Sequence, residues 1–193
     1  MPITILLPSA MRLPEEENSY LAMVREHTVT MVRTRAQTMI CMLLGMEFTA
    51  QTCHDGAQAA ATAVSMANRI TGRKKILLPA NMNPQILSTV KNYCYSVQEE
   101  QRLDLVMVNY DSKTGMIDLE DLKNKLDDTV AGVYLENPNY LGQLEVDAPQ
   151  IGQLAKAAGA EFIVNANPLS LGVIEAPANY GATIAICDLH DLG

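Results

Sequence analysis

The sequence of 193 residues predicts an α/β fold: a three-layer α/β/α arrangement with a mostly parallel sheet. Apolar runs of strand length alternate with helical segments, and the runs are apolar at every position, as in strands covered on both faces. Segments rich in asparagine and aspartate follow three of these runs. Parallel α/β sheets place their ligand sites at the carboxyl ends of strands, so these segments predict a pocket.

The composition limits the function classes. Hydrophobic residues make up 48% of the chain and charged residues 19%, as in a globular protein with a buried core. The formal net charge of −8 argues against nucleic acid as a partner, because phosphate backbones bind clustered Lys and Arg. No apolar run approaches the roughly 20 residues of a membrane span. Four cysteines without metal-site spacing favour reduced thiols and a cytoplasmic protein.

The first 34 residues predict a helical segment that continues into the next part of the chain. Pro14 and the three glutamates after it favour a helix start, and Gly45 is a typical helix end. The β-branched stretch 28–30 leaves open a division into two helices. Four side chains lie at helical spacing and are interpreted as core packing: Met39, Met42, Leu43 and Met46.

The rest of the chain alternates helices and strands. An alanine-rich helix over 59–70 suits close packing on a sheet, Asn83-Pro84 begins a second helix, and a leucine stripe marks a third. The predicted helices span 59–70, 83–97, 118–126 and 147–158. The predicted strands span 75–78, 103–109, 130–135, 161–164 and 183–186.

Residues before the alanine-rich helix are candidates for binding a phosphate. Free backbone N–H groups in a first helical turn attract anions, and glycine permits close approach. A structural role, with Asp55 as the helix N-cap and Gly56 as a turn residue, is the more ordinary interpretation, because Asp-Gly before a helix is common. The candidate cofactor-binding residues are His54, Asp55, Gly56, Ala57 and Gln58.

Asparagines after two strands are further candidates. Asn137 and Asn139 follow one strand, and Asn165 and Asn167 follow the next. Their amides could face a ligand, or they could stabilise tight turns by bonding their own backbone. Asparagine can only hydrogen-bond to a cofactor's ring nitrogen, whereas a carboxylate could pair with its positive charge.

The third polar segment contains His190 between Asp188 and Asp191. Three potential ligands within four residues seldom have the geometry for one ion, so no metal site is predicted. No lysine follows this strand. The sequence also lacks G-x-S-x-G, Walker A and G-x-G-x-x-G motifs, which argues against serine hydrolases, nucleotide hydrolases and dinucleotide oxidoreductases.

The order and spacing of several motifs resemble subunit 1 chains of the glycine cleavage system P-protein family. The similarity runs from about Arg35 to Gly193. It is carried by Gln-Thr-Met-Ile-Cys at 37–41, Leu-Gly-Met at 44–46, Asp-Gly-Ala at 55–57, Asn-Pro-Asn at 137–139 and Asn-Pro-Leu-Ser-Leu-Gly at 167–172; the segments 59–67 and 176–182 fit the same pattern.

The resemblance implies a large domain of pyridoxal-phosphate fold type I over 35–193, with a seven-stranded sheet and without the family's small C-terminal domain. It implies glycine decarboxylation and aminomethyl transfer to the lipoyl H-protein. It further implies that pyridoxal phosphate is held by a lysine of the partner, glycine dehydrogenase subunit 2, in an Asn-Leu-His-Lys motif. That motif falls on 188–191, so His190 is retained and Asp191 stands at the lysine position. The candidate residues named above would then form a vestigial or shared cofactor pocket, with no catalytic residue in this chain.

The chain departs from the family pattern at three places and leaves three functions to weigh. Residues 29–35 replace a Thr-Pro-Tyr-Gln-Pro-Glu stretch, His54 replaces a tyrosine, and Asn83 replaces a histidine. The hypotheses are a subunit of the glycine-decarboxylating complex, inactive alone; a non-catalytic truncated paralogue that serves only as a structural or dimerising chain; and an independent pyridoxal-phosphate enzyme. The last is disfavoured because none of the seven lysines follows a strand beside the predicted pocket.

Overall fold

The computed structural model describes residues 19–49, 53–95 and 102–192. The helices are α1 (Ser19–Leu44), α2 (Gly56–Thr71), α3 (Pro84–Cys94), α4 (Leu119–Lys125) and α5 (Ala148–Ala157). The strands are β1 (Lys75–Pro79), β2 (Asp104–Val108), β3 (Val130–Asn137), β4 (Glu161–Ala166) and β5 (Ile184–Ile186). Short 3₁₀ turns span Ser170–Gly172, Pro177–Tyr180 and Leu189–Leu192.

The described strands form one sheet in the order β2-β1-β3-β4-β5, and every pairing is parallel. After β1 the chain adds β2 on one side and then crosses to the other side for β3, β4 and β5. A reversal of this kind leaves a crevice beyond the carboxyl ends of β1 and β3. The parallel sheet predicted from the sequence is confirmed, and the same reversal fixes where a ligand site can lie.

Helices cover both faces of the sheet, which confirms the three-layer arrangement. On one face α2 and α3 bury alternate strand residues such as Ile76, Tyr134 and Ile163. On the other face α4, α5 and the end of α1 pack on the intervening residues, among them Leu77 and Phe162. The strands are therefore apolar at successive positions because each face meets a helix layer.

The alanine-rich helix α2 lies very close to the middle of the sheet. A Cβ placed on Gly132 of β3 would stand 3.0 Å from the Cβ of Ala67. A larger side chain at either position would push helix and strand apart. The expectation that alanines permit close packing is thus confirmed at this contact.

Helix α1 ends at Leu44 and is followed by Gly45, which has a φ of 70° and is the helix stop that the sequence predicts. The helix is continuous through residues 28–30, and the predicted start at Pro14 lies outside the described residues. The prediction of core packing is wrong for Met39 and Met42, which are 68% and 78% exposed. Ile40 and Leu44 form the buried contact instead, because they lie on the opposite side of the last turns.

Strands β3 and β4 each extend two residues further than the sequence predicts. Glu136 belongs to β3 and Asn165 to β4, and the two residues are paired in the parallel register. Both were expected in loops because polar residues seldom occupy buried strands. The polar candidates after these strands therefore begin within the sheet itself. Within the three described ranges, no helix is long and apolar enough to cross a membrane.

Candidate functional site

A cleft of about 280 Å³ lies beyond the carboxyl ends of the strands, at the crevice made by the reversal of strand order. It is on the face of the sheet that α2 and α3 cover. Residues from β3, β4 and the segments that follow β1, β3, β4 and β5 line it: Asn83, Ile86, Glu136, Pro138, Asn139, Tyr140, Asn165, Ala166, Asn167, Pro168 and Asp188. Of the ten predicted site residues, this set contains Asn139, Asn165 and Asn167.

The start of α2 is held by a reciprocal set of hydrogen bonds. The backbone N–H of Gln58 donates to Asp55 Oδ1 at 2.7 Å, and the backbone N–H of His54 donates to Gln58 Oε1 at 2.8 Å. Asp55 is therefore an N-cap, and Gln58 ties down the preceding residue, much as in a capping box. The residues that line the cleft do not include His54, Asp55, Ala57 or Gln58.

Gly56 connects the start of α2 to the cleft. A Cβ on this glycine would lie 3.5 Å from Oδ2 of Asp188, so the aspartate side chain packs against the first residue of the helix. Asp188 follows β5 and lines the cleft. The sequence placed Asp188 beside His190 as part of a possible metal site or acid/base pair, and in the segment that matches the family's lysine motif. Within the described residues, no group of three His, Cys, Asp or Glu is placed to hold a metal ion.

The segment after β3 is organised by the amide of Asn139. Its Nδ2 donates to the carbonyl of Gly115 at 2.9 Å and to Glu145 Oε1 at 2.8 Å. Its Oδ1 accepts from the backbone N–H groups of Leu141 and Gln143 at 3.0 and 3.1 Å. An asparagine side chain offers two donor hydrogens and one oxygen with two acceptor positions. All of them are used inside the protein, so this amide has nothing left to offer a ligand.

Glu145 is the carboxyl partner of this segment, and it is 3% exposed. Besides Asn139, the backbone N–H of Ile117 donates to its Oε2 at 3.1 Å. Burial raises the pKa of Glu145, and these hydrogen bonds lower it in part. Asn137 belongs to the same structure: it is 6% exposed, and its Oδ1 accepts from the backbone N–H of Glu145 at 3.2 Å. The Asn137-Pro138 peptide bond is cis.

The floor of the cleft is formed by a carboxyl group that the sequence reasoning missed. Glu136 is 5% exposed, its Oε2 accepts from the backbone N–H of Asn83 at 3.1 Å, and Tyr134 donates to its Oε1 at 3.4 Å. Burial raises the pKa of Glu136, while the two hydrogen bonds lower it in part. Burial raises the pKa of Tyr134, and the neighbouring side chain of Asn165 lowers it in part. The sequence signal that could have identified Glu136 as a site residue is a glutamate directly after an apolar strand.

The remaining candidates lie at the rim. Asn167 is exposed, and its Oδ1 accepts from the backbone N–H of Leu169 at 2.9 Å. His190 is also exposed and is not among the lining residues; its backbone N–H donates to Asp188 Oδ1 at 3.0 Å. The cleft therefore brings together Asn165, Asn167 and Asp188 as groups that a ligand can reach.

The lysines lie away from this cleft. Lys75 bonds the carbonyl of Lys125 and the carboxylate of Asp127 at the opposite edge of the sheet, and Lys125 also bonds Asp121. Among the described residues that line the cleft, none is a lysine or an arginine, whereas two are acidic. The electrostatic character of the site is thus negative.

Parallel strands, covering helix layers and a cleft at the strand reversal define the class of protein: an α/β/α large domain like that of pyridoxal-phosphate-dependent transferases. The model of the glycine cleavage system P-protein family matches residues 34–193, and the chain belongs to that family.

Curated relatives are matched over the same region. The chain is 39% identical over 158 residues to "Probable glycine dehydrogenase (decarboxylating) subunit 1" of Staphylothermus marinus and 41% identical over 157 residues to the protein of that description from Chlorobium luteolum. Each match covers 81% of this chain but only 33% and 34% of those relatives. The chain thus spans about a third of their length.

Solved structures agree with this assignment. A crystal structure of glycine decarboxylase (P-protein) of the glycine cleavage system, in inhibitor-bound form, superposes with a TM-score of 0.71 at 35% identity, covering 81% of this chain and 33% of that one. A cystathione gamma lyase from Micromonospora echinospora has a TM-score of 0.57 at 19% identity, covering 75% of this chain and 34% of that one, and shows the shared fold alone.

Proposed function

We propose that this chain serves as a subunit of a glycine dehydrogenase that decarboxylates glycine and transfers the aminomethyl group to the lipoyl H-protein. Family membership and relatives described as subunit 1 support the reaction. The description "subunit 1" implies a second subunit. The proposed partner is glycine dehydrogenase subunit 2, and free cysteines support the proposed cytoplasmic location.

The charge of the cleft is the observation that supports placing the cofactor in the partner subunit and not in this chain. A pyridoxal-phosphate enzyme uses a lysine amine beside its pocket to bind the cofactor covalently. Glu136 and Asp188 line this cleft, and no lysine is found among its described lining residues. These residues do not fit the phosphorylated cofactor. We therefore assign the cofactor to the partner subunit, where it supplies the electron sink for decarboxylation.

The candidate residues then act in a vestigial or shared pocket. Asn165 and Asn167 reach the cleft with polar groups, whereas Asn137 and Asn139 hold the neighbouring segment in shape. His54, Asp55, Ala57 and Gln58 form or adjoin the start of α2. Gly56 and His190 contact the aspartate at the rim. Their proposed contribution is to shape the surface that faces the partner.

Co-expression with a subunit 2 chain tests the proposal. We expect the two chains to elute together from a sizing column. After incubation with pyridoxal phosphate and reduction with borohydride, mass spectrometry of the complex should find the cofactor on the partner and none on this chain. A partner whose cofactor lysine has been replaced is the control, and it should assemble without a label. Separate elution, or a label on any lysine of this chain, would contradict the proposal.

A further inference from the structure

The start of α2 has several features of an anion site. Gly56 and Ala57 contribute backbone N–H groups in the first turn, and the positive end of the helix dipole lies there. The Asp55 side chain accepts the hydrogen bond from the backbone N–H of Gln58. The backbone N–H groups of Gly56 and Ala57 are therefore left for another group. Gly56 has no side chain to block an approaching phosphate.

Asp188 occupies the approach to that helix end. Relative to a Cβ placed on Gly56, its Oδ2 lies at 3.5 Å and its own Cβ at 3.7 Å, so the side chain is in van der Waals contact with the first helical residue. Asp188 is exposed, and local contacts position it. The preceding residues 184–186 pair with β4, and the backbone N–H of His190 donates to Oδ1 at 3.0 Å.

The rest of the cleft offers a second carboxyl group and no cation. Glu136 contributes a second carboxyl group at the floor. The cleft-lining residues in the described part of the chain include neither lysine nor arginine. A phosphate dianion entering here would lose hydration and meet a carboxylate where phosphate sites provide N–H donors or cations.

We propose that the Asp188 carboxylate closes the start of α2 to phosphate, so that the cleft of this chain rejects phosphate-bearing ligands, including pyridoxal phosphate. Asp188 is thus a specificity-determining residue: it excludes a ligand class by charge and by volume. This inference rests on the proposed function, because it gives a physical reason for the cofactor to lie in the partner chain.

Titration of inorganic phosphate into the full chain, followed by the ³¹P line width, tests the inference. We expect no saturable binding by the wild type. Asp188→Ala should gain saturable binding, with an affinity about tenfold or more above the upper limit that the titration sets for the wild type, because it removes both charge and volume. Asp188→Asn keeps the shape and removes the charge, so its smaller gain measures the electrostatic part. The matched control is Asp128→Ala, which removes the same charge from an exposed loop at the opposite edge of the sheet and should behave as the wild type.

Comparison of pyridoxal phosphate with unphosphorylated pyridoxal sharpens the result. The gain in Asp188→Ala should appear with the phosphorylated compound alone. The inference is overturned if the wild type binds phosphate as tightly as Asp188→Ala does, or if Asp128→Ala gains as much affinity for phosphate. It is also overturned if Asp188→Ala gains as much affinity for pyridoxal as for pyridoxal phosphate. Assembly with subunit 2 is a separate readout: a chain that assembles yet binds phosphate by itself contradicts this inference and leaves the proposed function standing.

Discussion

An Asn-x-Asn sequence lies across the end of both β3 and β4, yet the two pairs of asparagines have different surroundings. Asn137 and Asn139 are buried, and the Asn139 amide makes four hydrogen bonds within the protein. Asn165 and Asn167 reach the cleft, and Asn167 is exposed. The comparison teaches that an asparagine at a strand end becomes a structural or a ligand-facing group according to what packs over it. After β3, the buried carboxylate of Glu145 needs hydrogen-bond donors, and this gives the Asn139 amide a structural role.

The largest loss of stability is expected at Asn139, whose side-chain amide uses all of its donors and acceptors within the protein. Asn139→Ala should lower the free energy of unfolding by about 3 kcal/mol, because it removes four hydrogen bonds at a buried position. Two are donated by Nδ2, to Glu145 Oε1 and the carbonyl of Gly115, and two are accepted by Oδ1 from backbone N–H groups. Urea denaturation at neutral pH measures the change. A loss below about 1 kcal/mol would show that the two segments do not differ as described.

A smaller, pH-dependent effect is expected at the floor of the cleft. A carboxyl whose pKa is raised on folding binds its proton more tightly in the folded state than in the unfolded chain. Its ionisation therefore costs stability, and the free energy of unfolding falls as the pH rises from the ordinary glutamate pKa, about 4.5, through the raised folded value.

Glu136→Gln cannot ionise and should escape this loss. The free energy of unfolding of the variant minus that of the wild type should grow as the pH rises through that window, since all other titrating groups are common to both proteins. Denaturant unfolding at several pH values measures this difference. Glu120→Gln, at a position 82% exposed, is the matched control. Parallel curves for wild type and Glu136→Gln would show that the buried carboxyl does not titrate differently on folding.

The smallest effect is expected at the exposed asparagine. Asn167→Ala removes the bond from the backbone N–H of Leu169, which water can replace, and should cost only about 0.5 kcal/mol. The same urea denaturation, run beside Asn139→Ala, makes the comparison direct. Equal losses for the two variants would mean that the segment after β4 is as tightly organised as the segment after β3.

Much of the fold follows from the sequence, because hydrophobic pattern and helix termini are local signals. All five strands in the described residues were predicted within two residues at each end, and Gly45 ends α1 as expected. The candidate site was less predictable. Glu136 was assigned to a loop, and the hydrogen-bonding state of Asn139 depends on Glu145, six residues away, and on Gly115, which lies on another segment.

The sequence by itself determined the parallel α/β arrangement, the likeness to the P-protein family and the absence of a lysine from residues 187–193. Each of these follows from the type and order of the residues, because side-chain periodicity and backbone preference are local properties. Only the tertiary structure decided which asparagines face the cleft, that Glu136 forms its floor, and that Asp188 packs against Gly56. These depend on the meeting of segments up to about 130 residues apart in the chain, and no local pattern encodes which polar groups a neighbouring segment will satisfy.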